Sequence, residues 1–115
     1  MILGIGYPSI IPTKGQTAMR IADVDGISLA GITFDAGPIR SEVLVQVGDE
    51  NSKSIHSENP TFLFDVFCRV GTDKAGTATS CVIINSNNVY YLPCVQEEHQ
   101  SIYSCLQNPP RKTWF

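Results

Sequence analysis

Asp23-Val24-Asp25-Gly26-Ile27-Ser28-Leu29-Ala30-Gly31-Ile32-Thr33-Phe34-Asp35-Ala36-Gly37 is the stretch whose reading decides the fold of this chain. Ile27 and Leu29 alternate with Ser28 and Ala30, and beyond Gly31 the alternation resumes one residue out of step, with Ile32 and Phe34 as the apolar pair. A one-residue slip turns a strand's apolar side chains to the opposite face, so both pairs reach one core only if the chain bends or bulges between them, and two short strands with a corner at Gly31 are expected. Helix is the losing alternative. Gly26, Gly31 and Gly37 would each cost roughly 1 kcal/mol against alanine, and the β-branched residues favour extended chain.

Working outward, further short strands are expected at Met1–Ile5, Ala18–Ala22, Glu42–Val47 and Thr79–Ile84, separated by turn signals such as Gly6–Pro8 and Lys14-Gly15. Glu42–Val47 sets Val43, Val45 and Val47 against Leu44 and Gln46. Phe62–Val70 reads as the clearest strand, with Phe62, Phe64, Val66, Cys68 and Val70 on one face at period two. Its other face carries Leu63, Asp65, Phe67 and Arg69, which is too apolar to be left wholly in water. Gly48–Pro60, poor in apolar residues apart from Ile55, reads as a solvated loop. No stretch before Asn85 has the three-to-four spacing of an amphipathic helix, so the fold class is all-β.

Short strands between turns suit a sandwich or barrel. A solenoid competes, because Val24–Phe34, Val43–Val47, Phe62–Val70 and Cys81–Ile84 recur at intervals of about twenty residues, as stacked parallel coils would. Asn85-Ser86-Asn87-Asn88 fits a coil corner, where asparagine tolerates left-handed backbone. In that architecture Ile27, Leu29, Ile32, Phe34, Val45, Phe64, Val66, Cys68 and Ile83 are expected to share one interior. A solenoid of few coils leaves strand edges exposed at both ends, so marginal stability and self-association through the coil ends are expected.

The 115 residues carry a net charge of −3, and only 17% are charged. No basic stripe is present to neutralise phosphates, which argues against a nucleic-acid partner. No apolar run is long enough to cross a bilayer, so no membrane partner is expected. Met1–Ile11 is apolar but broken by Gly6 and Pro8 and preceded by no basic residue, so it does not read as a signal peptide.

A longer set of residues carries a family resemblance. Leu3-Gly4-Ile5-Gly6, Ala22-Asp23-Val24-Asp25-Gly26-Ile27, Ala30–Pro38, Leu44–Gly48, His56, Asn59-Pro60-Thr61, Asp65-Val66-Phe67, Arg69-Val70-Gly71 and Val82–Val89 form a collinear pattern. It resembles the right-handed parallel β-helix of the α-1,3-glucanase (mycodextranase-type) glycoside hydrolases, within the wider pectin-lyase-like fold. The resemblance implies a fragment of an extracellular, polysaccharide-active enzyme with glucan as its partner and no cofactor. It covers about Leu3–Val89, giving coils over residues 1–89 and a divergent tail over 90–115, disordered or the product of a misread gene.

In such enzymes the catalytic aspartates would follow the matched coils. Tyr90–Phe115 contains no aspartate and offers only Glu97, Glu98 and His99, so no catalytic residue carries over. Glycoside hydrolysis needs one carboxylic acid and one carboxylate flanking the scissile bond. Asp23 and Asp25 lie on one side of an extended chain, yet beside Gly26 they read more simply as turn residues bonding their own backbone. Asp35 before Ala36-Gly37-Pro38 reads the same way, and Asp65 beside Arg69 reads as a solvated pair. Cys94, His99 and Cys105 lack a fourth ligand at zinc spacing, so no metal site is assigned. Cys68 and Cys81 read as small core residues. Cys94 and Cys105 would pair only in an oxidising compartment, and four cysteines allow three full pairings among which the sequence does not choose. His56 has no nucleophile near it in sequence, so no Cys/His catalytic pair is assigned. Two function classes stand: a hydrolase fragment inactive without its catalytic coils, and a non-catalytic carbohydrate-binding or structural solenoid whose tail aromatics stack on sugar.

Overall fold

The computed structural model describes residues 1–71 and 76–92. Eight strands follow in order: β1 Ile2–Leu3, β2 Ser9–Ile10, β3 Met19–Ile21, β4 Ser28–Asp35, β5 Ser41–Val47, β6 Thr61–Arg69, β7 Ala78–Ile84 and β8 Val89–Leu92. There is no helix among the described residues. Every strand pairing is parallel. One sheet runs β1-β4-β6-β8, with β2 also on β4, and the other runs β3-β5-β7. From β3 onward successive strands alternate between the two sheets, so the chain winds through both in each circuit. The strand recurrence near twenty residues is therefore half a circuit. Ser28 pairs with Phe62, and Val45 pairs with Val82, a full circuit later.

Gly31 does what the slip in the sequence demands, inside one strand rather than at a corner between two. Its φ is +66°. Leu29, Ile32 and Phe34 are all buried, so the apolar set keeps facing inward on both sides of the kink. In the neighbouring strand Ala30 pairs with Phe64 and Ile32 with Val66, which places Asp65 opposite Gly31. Asp65 is itself left-handed, with φ +48°. Aspartate tolerates that region better than most residues, whereas glycine meets no steric penalty there. A Cβ on Gly31 would also come 2.8 Å from the Gly4 carbonyl oxygen of the adjoining strand segment.

The kink at Asp65 overturns the expected face of β6. Period two holds only as far as Phe64, and the inward residues are Thr61, Leu63, Val66 and Cys68. Phe64 is 37% exposed, not interior. Its ring stacks on Phe62, which in turn stacks on Tyr90, with centroids 5.5 and 5.2 Å apart. In β7 Val82 is the interior partner of Val45, while Ile83, expected inside, lies level with Gln46 and is only half-buried. Ile27 packs against the core from a half-buried position. Consecutive burial of Val43, Leu44 and Val45 shows that β5 also departs from simple alternation. The core therefore comprises Ile21, Leu29, Ile32, Phe34, Leu44, Val45, Val47, Leu63, Val66, Cys68, Cys81, Val82 and Val89. The ladder runs on through β8 to Leu92, past the expected coil boundary at residue 89, and the rest of the tail lies outside the described residues.

Truncating Phe34 to alanine is expected to cost about 3–5 kcal/mol in urea unfolding, and Phe64→Ala about 1 kcal/mol, because only the former empties the core. Asp65→Val should cost about 1–2 kcal/mol by placing a β-branched residue in the left-handed region. Equal losses for Phe34→Ala and Phe64→Ala would contradict the reassigned face.

Candidate functional site

One corner of the fold gathers the polar residues. Gly26, at φ +72°, ends the Asp23-Val24-Asp25 segment in a turn, and its backbone N–H donates to the Asn59 carbonyl of the next coil. The Gly48–Pro60 segment lies against this turn one circuit on, and the Asn85–Asn88 corner joins them after one circuit more. His56 sits at the centre, only 5% exposed, so the segment read as a solvated loop holds a buried imidazole. Its Nδ1 lies 2.5 Å from Asp25 Oδ1 and its Nε2 lies 2.8 Å from Asp23 Oδ1. Its backbone N–H donates to Asn88 Oδ1 at 3.1 Å. Asn88 is left-handed, with φ +58°, as expected of an asparagine at a coil corner.

Asp23 is the hub. Ser86 Oγ donates to its Oδ1 at 2.6 Å, and the Ser52 hydroxyl donates to Oδ2. Burial alone would raise the Asp23 carboxyl, but the Ser86 and His56 hydrogen bonds together with the attraction of His56 outweigh it and hold the group below its usual 3.8. The hydrogen bonds to Asp25 and then Asp23 raise His56 above its usual 6.5, against the opposing effect of burial. Each imidazole nitrogen faces a carboxylate, so the stable form is the imidazolium, with both N–H groups donating.

That arrangement sets the chemistry. A nucleophile–base pair needs the hydroxyl on the imidazole, whereas here both hydroxyls bond the carboxylate and neither ring nitrogen is left to take a proton. Asp23 and Asp25 do face each other, but the imidazole fills the space a glycosidic oxygen or water would need between them. The corner is a clasp joining three segments far apart in sequence. Asp23 and Asp25, expected to bond their own backbone as turn residues, instead hold His56, with Ser52 and Ser86 on Asp23. Ser52, Ser86 and Asn88 were missed as its members, and the available signal was a lone histidine one circuit away from two carboxylates at Asp-Xaa-Asp spacing.

The other expected candidates go elsewhere. Asp35 takes two hydrogen bonds from Arg69, at 2.6 and 2.7 Å, as its cross-strand partner. Arg69 Nη2 also donates to Ser9 Oγ at 3.2 Å, tying in β2. Arg69 therefore does not form the expected pair with Asp65, which serves the kink. Cys68 and Cys81 are buried thiols, as expected of core residues. Cys94, Glu97, Glu98, His99 and Cys105 lie outside the described residues. Among the described residues no cluster of histidine, cysteine and carboxylates is arranged to hold a metal ion.

Comparison with known proteins places this geometry in a family setting. The LAM55 pectate lyase-like domain matches residues 1–93. An exo-β-1,3-glucanase of Streptomyces sp. (strain SirexAA-E / ActE) is 48% identical over 86 residues, which cover 75% of this chain and 14% of that protein. Two solved structures of sacteLam55A from Streptomyces sp. SirexAA-E, one of a variant in complex with glucose, superpose with a TM-score of 0.76 at 46% identity, over 77% of this chain and 16% of theirs. The chain thus spans about one seventh of the curated relative it matches. The pectin-lyase-like resemblance and the glucanase connection hold, but the relative acts on β-1,3 linkages, not the α-1,3 linkages of the mycodextranase type.

The clasp yields a pH prediction. His56 is raised, so its contribution is complete below about pH 6.5 and is lost as pH climbs through the folded value. Asp23 is lowered, so its contribution is complete above about pH 4 and is lost as pH falls through the folded value. Denaturant midpoints should peak between these limits. His56→Gln should remove the decline above pH 6.5, while Asp23→Ala should cost about 3 kcal/mol at pH 6 by removing one of the two carboxylates on the buried His56 and leaving the Ser52 and Ser86 hydroxyls without their acceptor.

Proposed function

Because the chain belongs to the LAM55 pectate lyase-like domain family, we propose that it supplies stacked coils to a secreted glycoside hydrolase acting on β-1,3-glucan, and that it is not catalytic by itself. The observation carrying this reading is the 48% identity to an exo-β-1,3-glucanase across most of the chain. The β-1,3 linkage is preferred over α-1,3 on the same ground. The winding is taken as right-handed, since parallel strands of one sheet joined by a crossover, as β4 and β6 are through β5, are right-handed in about 98% of cases. The missing activity follows from the carboxylates. Asp23 and Asp25 clasp His56, and Asp35 is held by Arg69. None of these pairs combines an open gap with a carboxyl held protonated, which hydrolysis requires.

One observation favours a second reading, a non-catalytic glucan-binding module. Phe62, Phe64 and Tyr90 form a stacked row on the outer face of the larger sheet, with Tyr90 48% exposed. Exposed aromatic faces suit the apolar faces of sugar rings. The edges of β7 and β8, outermost in their sheets among the described residues, also support self-association of the isolated chain.

Three measurements separate these readings. The isolated chain should release no reducing sugar above buffer background from β-1,3-glucan, α-1,3-glucan or pectate. Turnover abolished by Asp23→Asn or Asp35→Asn would overturn that expectation. Grafted in place of the matching segment of the Streptomyces exo-β-1,3-glucanase, the chain should preserve hydrolysis of β-1,3-glucan. A folded but inactive chimera would count against the hydrolase reading. Retention of the isolated chain on insoluble β-1,3-glucan, lost in Phe64→Ala with Tyr90→Ala, would select the binding module instead.

A further inference from the structure

Asp25 is the only aspartate or asparagine in the sequence that precedes a glycine. Such a pair carries a chemistry of its own. A backbone nitrogen attacks the carboxyl carbon of the preceding aspartate and closes a five-membered imide, and glycine favours the reaction because no side chain crowds the approach. In the folded chain both reacting groups are engaged. The Gly26 N–H donates to the Asn59 carbonyl at 2.8 Å, and Asp25 Oδ1 lies 2.5 Å from His56 Nδ1. The Asn59 side chain also packs on Gly26, where a Cβ would come 2.6 Å from its Nδ2. The Asp25 side chain is 65% exposed, so these bonds protect it and burial does not. Both partners belong to one segment, and a single local opening frees both groups. Within residues 49–60 only His56 is buried, so little apolar contact opposes that opening.

We propose that Asp25 is a latent isomerisation site kept closed by the segment carrying His56 and Asn59, and that opening this segment converts Asp25 to isoaspartate and prevents the clasp from re-forming. The Gly26 nitrogen bonds to the Asp25 side-chain carboxyl carbon, and the amide proton leaves with the carboxyl hydroxyl as water. Water then cleaves the bond from the ring nitrogen to either carbonyl. Cleavage at the main-chain carbonyl leaves the backbone running through the Asp25 side chain, with a carboxylate branching from it. One water is released and one consumed, so no other reactant is needed. Asp23 is held by Ser86 and the β4 ladder starts at Ser28. An added methylene between them lengthens a connection fixed at both ends, and the relocated carboxylate no longer meets His56 Nδ1.

To test this, the full chain is held at pH 6 in buffer and in urea that unfolds it, and isoaspartate at residue 25 is followed in the tryptic peptide Ile21–Arg40 by electron-transfer fragmentation. Isomerisation is expected to be about tenfold or more slower in buffer, since only the opened fraction reacts. Urea below the unfolding midpoint should raise the rate before the sheets melt, and His56→Gln, checked for folding by circular dichroism, should raise it without urea. Equal rates in buffer and unfolding urea, or a rate that rises only with global unfolding, would overturn the proposal. The purified chain with isoaspartate at residue 25 should unfold at lower urea than its parent, and an unchanged midpoint would overturn the loss of the clasp. Asp25→Glu, whose longer side chain closes an imide far more slowly, should keep its refolded fraction through the same urea exposure, while the parent loses refolding in step with isoaspartate.

Discussion

Everything in this small solenoid depends on two neighbouring strands kinking at the same level. Parallel coils bury a continuous interior only if each strand keeps its apolar side chains inward along its whole length. Here β4 and β6 each carry one residue too many for simple alternation. Gly31 and Asp65 absorb the excess by taking left-handed backbone side by side, so the ladder closes on both sides of them. Were only one strand kinked, the side chains beyond the kink would face opposite ways in the two strands, and Phe34 would lose Cys68 as its interior neighbour. The Gly4 carbonyl packed against Gly31 leaves no room for a side chain there. The penalty of left-handed backbone at a non-glycine residue is accepted at Asp65, where the side chain points to solvent and the backbone, not the carboxylate, does the essential part.

A second constraint acts at the corners. Sheets stacked in parallel hold the strands but leave the connecting segments to find their own partners, and a polar segment such as Gly48–Pro60 has little apolar surface to bury. The His56 imidazolium solves this with charge. It draws Asp23 and Asp25 of one corner, its own segment, and Asn88 of the following corner to one point, with Ser52 and Ser86 satisfying the remaining lone pairs of Asp23. A buried ion pair contributes well only when its leftover donors and acceptors are met, and this one meets them. The Asp35–Arg69–Ser9 bridge performs a looser version of the same task at the strand ends.

The carboxylates of Asp23, Asp25 and Asp35 are engaged in holding neighbouring segments of the coils together. The glucanase relative is about seven times longer than the matched segment. Chemistry that requires two carboxyl groups with an open gap and opposite protonation is compatible with such a frame as support, and the frame's own aspartates lack that gap.

Sequence by itself determined the all-β class and the slip at Gly31; periodicity left sandwich, barrel and parallel coils open, and the family resemblance favoured the coils. The class and the slip are local: alternation, glycine positions and residue types are read along the chain. It failed where a residue's role depended on what lay one circuit away. The face of β6 was misread because Asp65, unlike glycine, does not advertise a left-handed conformation, and Phe62, Phe64, Val66 and Cys68 alternate perfectly in sequence. His56 was misread as solvated because nothing within its own segment pairs with it. Its partners Asp23, Asp25 and Asn88 are about thirty residues distant in either direction, a separation that only the stacking of parallel coils converts into contact.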